Sequence, residues 1–187
     1  MNNANLQQMI QQLSSTELQE KQRIIPDLTQ WNPQLCGKMD LCIKANGEWW
    51  HEGVPIQRQA LIDLFSKVLC YEDGQYYLKT PIEKIQIQVE EAPLHIKDVQ
   101  QRGDELYFIS TQGDEILLDE QHSIELRKVD GQYKPYIYVR YGLWALIQRH
   151  AFYHLIDLGQ LQQNAQNDTI LTLKSGHFSV ELITPSL

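Results

Sequence analysis

Apolar side chains first recur at helical spacing, with Leu6, Ile10 and Leu13 on one face of a glutamine-rich opening stretch. Ser15, Thr16 and Glu17 offer a second helical start that runs to Ile24 and Ile25. Pro26 stops it, because proline disfavours helical geometry in the residue before it. From Leu41 the period becomes two. Leu41 to Ala45 and Glu48 to His51 flank Asn46-Gly47, a strong hairpin signal because both turn residues tolerate positive φ. After Gly53-Val54-Pro55, Leu61, Leu64, Phe65 and Val68 share a helical face that Ile62 and Leu69 widen. Asp73-Gly74 turns the chain into a strand over Tyr76 to Thr80. Ile82 to Glu90 then alternates, with Ile85, Ile87 and Val89 inward.

Past Pro93 the period of two continues through strands near Leu94 to Val99, Glu105 to Thr111, Glu115 to Leu118 and Ser123 to Val129. Turn sequences such as Gln112-Gly113-Asp114 separate most of them. Tyr136 to Arg140 reads as a further strand. Gly142 is expected to open a helix carrying Leu143, Trp144, Ile147, Ala151 and Leu155, which Gly159 ends. A polar loop, QLQQNAQND, precedes a last hairpin over Ile170 to Leu182. The stretch 46–69 (NGEWWHEGVPIQRQALIDLFSKVL) is echoed at 135–158 (PYIYVRYGLWALIQRHAFYHLIDL): aromatic strand, glycine, arginine and helix in each. Two amphipathic helices also resemble one another by chance, but a duplicated core is the economical reading. The expected fold is α+β: a helical arm over residues 1–35, a first unit over 36–92 and a larger second unit over 93–187. Each unit has mostly antiparallel strands and one main helix, because strands cluster rather than alternate with helices.

With 187 residues the chain can bury a real core. No apolar run approaches the roughly 18 residues of a membrane helix and no signal pattern opens the chain, so a soluble cytoplasmic protein without membrane contact is expected. The formal net charge of −8 and the lack of any basic run exclude a generic binder of nucleic acid polymers. A local pocket for a small anion is still compatible with that charge. Cys36, Cys42 and Cys70 form no CxxC pair and read as buried thiols in a reducing compartment.

The most suggestive constellation is Tyr136-Ile137-Tyr138-Val139-Arg140-Tyr141-Gly142. In a strand Tyr136, Tyr138 and Arg140 share a face, and an arginine just before a helix N-terminus adds its charge to the free N–H groups there. A phosphate near Arg140 and Gly142, with a base on the tyrosines, is one reading. Arg140 paired with a carboxylate is the other. His51 beside Glu52 on the first hairpin offers proton transfer, although most lone histidines are structural. Arg58 opens its helix at the end disfavoured for a cation, so a partner is sought for it, with Glu83 a candidate. His150 and His154 have a metal-compatible spacing but no third ligand, so no metal or cofactor is expected. Phosphate-loop, dinucleotide-binding and GxSxG signatures are absent.

Four segments resemble the bacterial domain-of-unknown-function family 1285: WNPQLCGKMDLCI (31–43), GEWWHEGVPIQRQALIDLFSKVL (47–69), YYLKTPIEKIQIQVEEAPL (76–94) and PYIYVRYGLWALIQRHAFY (135–153). The resemblance implies a duplicated core of two α+β units, the C-terminal one pleckstrin-homology-like. It also implies shared residues gathered where the units meet, and a nucleotide-like ligand with a signalling role. Carried onto this chain, the ligand-binding set is Trp50, His51, Arg58, Glu83, Tyr136, Arg140, Gly142 and Arg149. The resulting expectation is a non-enzymatic binder of a small anionic or nucleotide-like molecule. The rivals are a hydrolase using His51 and Glu83, and a scaffold whose arm or open sheet edge meets a protein partner.

Overall fold

In the computed structural model the chain is described over residues 25–185, together with Gln11. The expected helical arm falls outside the described residues except for its last part, where Leu28–Gln30 form a 3-10 turn capped by Asp27. The chain divides into two compact units. Unit 1 comprises residues up to Pro93 plus Arg140–Leu143, and unit 2 comprises Leu94–Val139 and Trp144–Leu187.

Unit 1 contains β1 (Leu35–Ile43), β2 (Trp49–His51), β3 (Val54–Pro55), α1 (Gln59–Lys67), β4 (Leu69–Glu72), β5 (Gln75–Lys79) and β6 (Lys84–Val89). They form one sheet in the order β3-β2-β1-β6-β5-β4. The hairpin at Asn46-Gly47 forms as expected, with the Gly47 amide donating to the Lys44 carbonyl at 2.8 Å. Every neighbouring pair is antiparallel except β1 and β6, which run parallel at the centre. Period-two alternation decides the two faces. Leu41, Ile43, Trp49, Leu69, Leu78, Ile85 and Ile87 are buried, and Trp49 stacks on Phe65 of α1 with ring centroids 6.1 Å apart. The helix thus covers one face of the sheet.

At its β4–β5 end the opposite face has a small core of its own. Leu28, Cys70 and Tyr77 are buried there, with Trp31 and Tyr141 packed against them. Tyr141 belongs to the turn 140–143. Its hydroxyl donates to the Pro26 carbonyl at 2.8 Å and accepts from the Leu28 amide at 3.3 Å, while its own carbonyl takes the Tyr71 amide at 2.9 Å. Gly142 follows at φ +75°, and a Cβ there would stand 2.6 Å from the Tyr71 carbonyl oxygen. Beside this core Glu72 bridges two lysines, Lys79 at 2.9 Å and Lys84. Burial raises the Glu72 pKa, but the hydrogen bonds and charges of Lys84 and Lys79 together bring it below the ordinary carboxylate value.

Unit 2 contains β7 (Leu94–Arg102), β8 (Glu105–Ser110), β9 (Glu115–Leu117), β10 (Ile124–Val129), β11 (Gln132–Arg140), β12 (Leu143–Ile147), α2 (Arg149–Leu158), β13 (Gln160–Gln163), β14 (Thr169–Ser175) and β15 (Phe178–Thr184). The last residue of β11 and the first of β12 lie in the turn that belongs to unit 1. A six-stranded sheet runs β10-β11-β12-β7-β8-β9, and a three-stranded one runs β13-β14-β15. The larger sheet repeats the plan of unit 1: three strands run outward from the centre to one edge, the chain crosses, and three run back. The last of the six lies parallel to the first, as β12 does to β7. The duplication is therefore real at the level of strand order.

Four expectations need correction. Gly142 does not open a helix: residues 143–147 form β12, in which Leu143, Ala145 and Ile147 are buried and Trp144 and Leu146 half-buried. A continuous apolar run reads equally as helix or as buried strand, and a central strand between two neighbours favours such a run. Leu69, expected to widen the face of α1, instead opens the edge strand β4. The polar loop after Gly159 contains β13, whose four residues are all exposed and which is held by backbone pairing to β14, so no hydrophobic period marks it. Finally, the echoed helices are not equivalent. α1 makes the crossover between the third and fourth strands of its sheet, whereas α2 follows the sixth. Gly159 does end α2, but in an extended conformation (φ −95°). It is glycine for space, since a Cβ would come within 2.5 Å of Leu171 Cδ1.

Two stability outcomes follow from the outer face of unit 1. Gly142→Ala combines a left-handed backbone, costing about 1–2 kcal/mol for an L-residue, with a carbonyl clash at Tyr71. It is expected to lower the melting temperature clearly, as read by circular dichroism. Glu72→Gln is expected to destabilise by on the order of 1–2 kcal/mol at neutral pH, allowing for the solvent reaching this one-third-exposed carboxylate. The folded pKa is depressed, so the stabilisation is present above the unfolded carboxylate value and is lost as pH falls through the folded one. Chemical denaturation of wild type and variant should therefore converge in acid.

Candidate functional site

The expected site residues divide between the units: Trp50, His51, Arg58, Glu83, Arg140 and Gly142 in unit 1, Tyr136 and Arg149 in unit 2. Arg140 does not precede a helix N-terminus. Its guanidinium donates to the Ser66 carbonyl at 3.0 Å, in the last turn of α1, where helix carbonyls lack intrahelical partners and the helix dipole favours a cation. It caps the negative end of a helix rather than assisting the positive end of one. Gly142 supplies the tight turn against Tyr71. Glu83 makes backbone links to Thr80, its carbonyl accepting the Thr80 amide at 2.8 Å and its amide donating to the Thr80 hydroxyl at 3.0 Å. Arg58 is exposed at the N-cap of α1 and gives no side-chain cap bond. His51 is half-buried in β2, paired with Leu41 and Val54.

Tyr136 is only 3% exposed, and the Arg127 guanidinium lies over its ring at 4.8 Å and over Trp144 at 4.4 Å. Tyr138 meets Trp144 edge-on at 5.5 Å. The aromatic face of this strand is thus occupied by an arginine of the adjacent β10.

A concavity of ligand size lies in each unit. In unit 2 a pocket of about 430 Å³ lies at the start of α2, lined by Tyr133, Lys134, Gln148, Arg149, Phe152 and Tyr153 among others. Its lining holds two cations and no carboxylate among the described residues. Arg149, the first residue of α2, donates from Nε to the Tyr153 hydroxyl at 3.0 Å, and its guanidinium stands 5.7 Å from that ring. Gln148, the N-cap, gives no side-chain cap bond. A cation at this end of a helix is unfavourable with respect to the dipole, so the positive potential here is high.

In unit 1 a groove of about 640 Å³ runs over the face of the sheet that α1 leaves uncovered, lined by Lys38, Asp40, Lys44, Trp50, Gln88 and Glu90 among others. Here the charges cancel. Glu90 takes Lys44 Nζ at 2.7 Å and the Ala45 amide at 3.0 Å; these hydrogen bonds hold its carboxyl below the ordinary range and raise Lys44. Trp50 Nε1 donates to Glu48 at 3.0 Å. Cys42 also lines the groove, its thiol pKa raised by burial, which keeps it protonated and poorly nucleophilic. Cys70 is pushed up to about 12 by deeper burial and by Glu72.

No group of three His, Cys, Asp or Glu side chains among the described residues could hold a metal. Of the spaced histidines, the His150 ring engages the Lys97 carbonyl and His154 Nδ1 lies 3.8 Å from Asp98. No helix among the described residues is long and apolar enough to cross a membrane.

The sequence pattern points to Arg149 and Trp50 but not to the residues that line the same concavities. Tyr133 and Lys134 lie at the start of β11 and meet α2 only through the fold. Phe152 and Tyr153 carried a readable signal, since they stand three and four residues after Arg149, on its side of the helix. Lys38 and Asp40 lie in the half of β1 where Gly37, at φ +119°, and two register shifts interrupt the alternation.

Comparison with known proteins gives a consistent result. Residues 26–92 match the N-terminal domain and residues 93–180 the C-terminal domain of the model for a protein of unknown function, DUF1285. The crystal structure of a DUF1285 family protein from Silicibacter pomeroyi DSS-3 is similar over 94% of this chain and 95% of that one, with 32% identity and a TM-score of 0.77. A second DUF1285 family protein, from Shewanella baltica OS155, is similar over 64% of this chain and 91% of its own, with 27% identity and a TM-score of 0.53. No curated protein matches. Two domain matches in order, and a solved relative aligned nearly end to end, show that the chain belongs to the DUF1285 family.

Proposed function

We propose that this protein is a non-catalytic binder of a small anion carrying a flat ring, a nucleotide-like ligand, with a role in signalling. The observation that carries this reading is the unit 2 pocket: Lys134 and Arg149 beside Tyr133, Phe152 and Tyr153, with no carboxylate in its lining among the described residues. A phosphate seated against Arg149 would offset the charge that the helix end disfavours, and would accept from first-turn amides as well. Tyr133 and Tyr153, 37% and 54% exposed, are free enough to pack on a base. Of the other expected residues, Arg140 and Gly142 hold the frame of unit 1 and Tyr136 backs Arg127. Trp50, His51, Arg58 and Glu83 serve no part of this pocket in this reading. The pleckstrin-homology-like character suggested for unit 2 belongs to the same proposal, as a sheet-and-helix frame presenting a cationic pocket.

Thermal shift and calorimetry with inorganic phosphate, nucleosides and mono- and dinucleotides test it. Some phosphorylated nucleoside should raise the melting temperature where the bare nucleoside does not, and the effect should weaken with added salt. Arg149→Gln should reduce affinity roughly tenfold or more, the size of a lost charge-assisted hydrogen bond. A panel without any shift, or binding untouched in Arg149→Gln, would sink the proposal.

A further inference from the structure

The charge-balanced groove of unit 1 has a chemistry unlike that of the unit 2 pocket, and we infer that it binds a neutral, polyhydroxylated ligand of the carbohydrate class. Three observations converge. The first is position. Among the described residues α1 covers one face of the sheet, and the Leu28, Cys70 and Tyr77 core covers the other face only at its β4–β5 end, so β1, β2 and β6 keep an open floor there. Sheet pairing brings Lys38 opposite Gln86, Cys42 opposite Gln88 and Cys42 opposite Trp50, which sets these side chains on one face in adjacent rows.

The second is electrostatics. Lys38 and Lys44 are matched by Asp40 and Glu90, and the Lys44–Glu90 pair is closed at 2.7 Å. A groove whose charges are neutralised in this way has no net attraction for an ion and still presents many donors and acceptors. Hydroxyl groups both donate and accept, and they are matched by amides, which do the same, and by carboxylates, which accept. Gln86 is held to Gln75, while Gln88, Asp40 and Lys38 are exposed along the groove.

The third is Trp50. Its indole Nε1 donates to Glu48 at 3.0 Å, Lys44 Nζ stands over the ring at 5.9 Å from its centroid, and the half-buried ring lines the groove. An aromatic plane beside hydrogen-bonding side chains suits a sugar ring, which has an apolar C–H face and a polar rim. An open groove of about 640 Å³ suits a few linked rings better than a single one.

The test is a calorimetric and NMR titration of the full chain with neutral oligosaccharides, namely maltotetraose, cellotetraose and tetra-N-acetylchitotetraose, alongside glucose 6-phosphate. At least one neutral oligosaccharide should bind with an affinity that hardly changes between low and high salt. Trp50→Ala should abolish that binding, and Gln88→Ala, an exposed position that leaves the core alone, should weaken it severalfold. Arg149→Gln should leave it intact, which separates this site from the unit 2 pocket. Failure of all the neutral sugars, unchanged binding in Gln88→Ala, or a preference for the phosphorylated sugar that salt removes would each overturn the inference.

Discussion

Two strands that lie side by side and parallel cannot be joined by a hairpin, and each six-stranded sheet of this protein has such a pair at its centre. The chain must leave one edge of the sheet and re-enter at the other. In a flat sheet those edges are about 24 Å apart, at roughly 4.8 Å per strand spacing. Unit 2 makes the crossing between Leu117 and Ile124, a stretch that reaches at most about 25 Å when pulled straight. It is not straight: Asp119 Oδ1 accepts from the amides of Gln121 at 2.9 Å and His122 at 2.8 Å, folding the segment into a turn. The sheet must therefore curl until its edges approach. Unit 1 solves the same problem with α1, whose Phe65 seats on Trp49 as it crosses.

That constraint explains what was legible. Strands with one covered face showed a period of two, and Ile85 and Ile87 were assigned to the core correctly. Asn46-Gly47 marked its hairpin, and the family was recognisable from four segments. What escaped notice lay at the central and outermost strands. β12 has neighbours on both sides, so Leu143 to Ile147 form an unbroken apolar run with the signature of a helix. β13 has the opposite problem, being exposed throughout and visible only in its backbone pairing. In both cases tertiary partners, and not local pattern, decide the conformation.

The expected site residues stand at structurally particular positions, but not in the roles that local pattern suggests. Local pattern puts Arg140 before a helix N-terminus, whereas its guanidinium meets a helix C-terminus at Ser66. An arginine cannot be assigned to either end from sequence when the helix it serves is more than seventy residues away. Gly142 was linked to a phosphate, yet the 2.6 Å approach to the Tyr71 carbonyl already requires the absence of a side chain. Arg149 is different. Its ring partner lies one turn along its own helix, so the arginine–tyrosine pair was local and in principle readable.

The duplication bears on function through the place where it fails. The two larger sheets share strand order and the central parallel pair, yet α1 and α2 occupy different positions in that order. Arg58 and Arg149 both start a helix, and the sequence echo aligns these helices, but topology gives the arginines different surroundings. Arg58 follows an exposed two-residue edge strand, whereas Arg149 follows the central strand β12 and meets the start of β11 across a pocket. A helix placed after the sixth strand brings its N-terminus to the sheet interior's rim, where side chains from two strands converge. A crossover helix instead begins at an edge, with fewer neighbours to build walls. The same strand order, with its helix placed differently, therefore forms a cationic pocket in one unit and, among the described residues, leaves an open sheet face in the other.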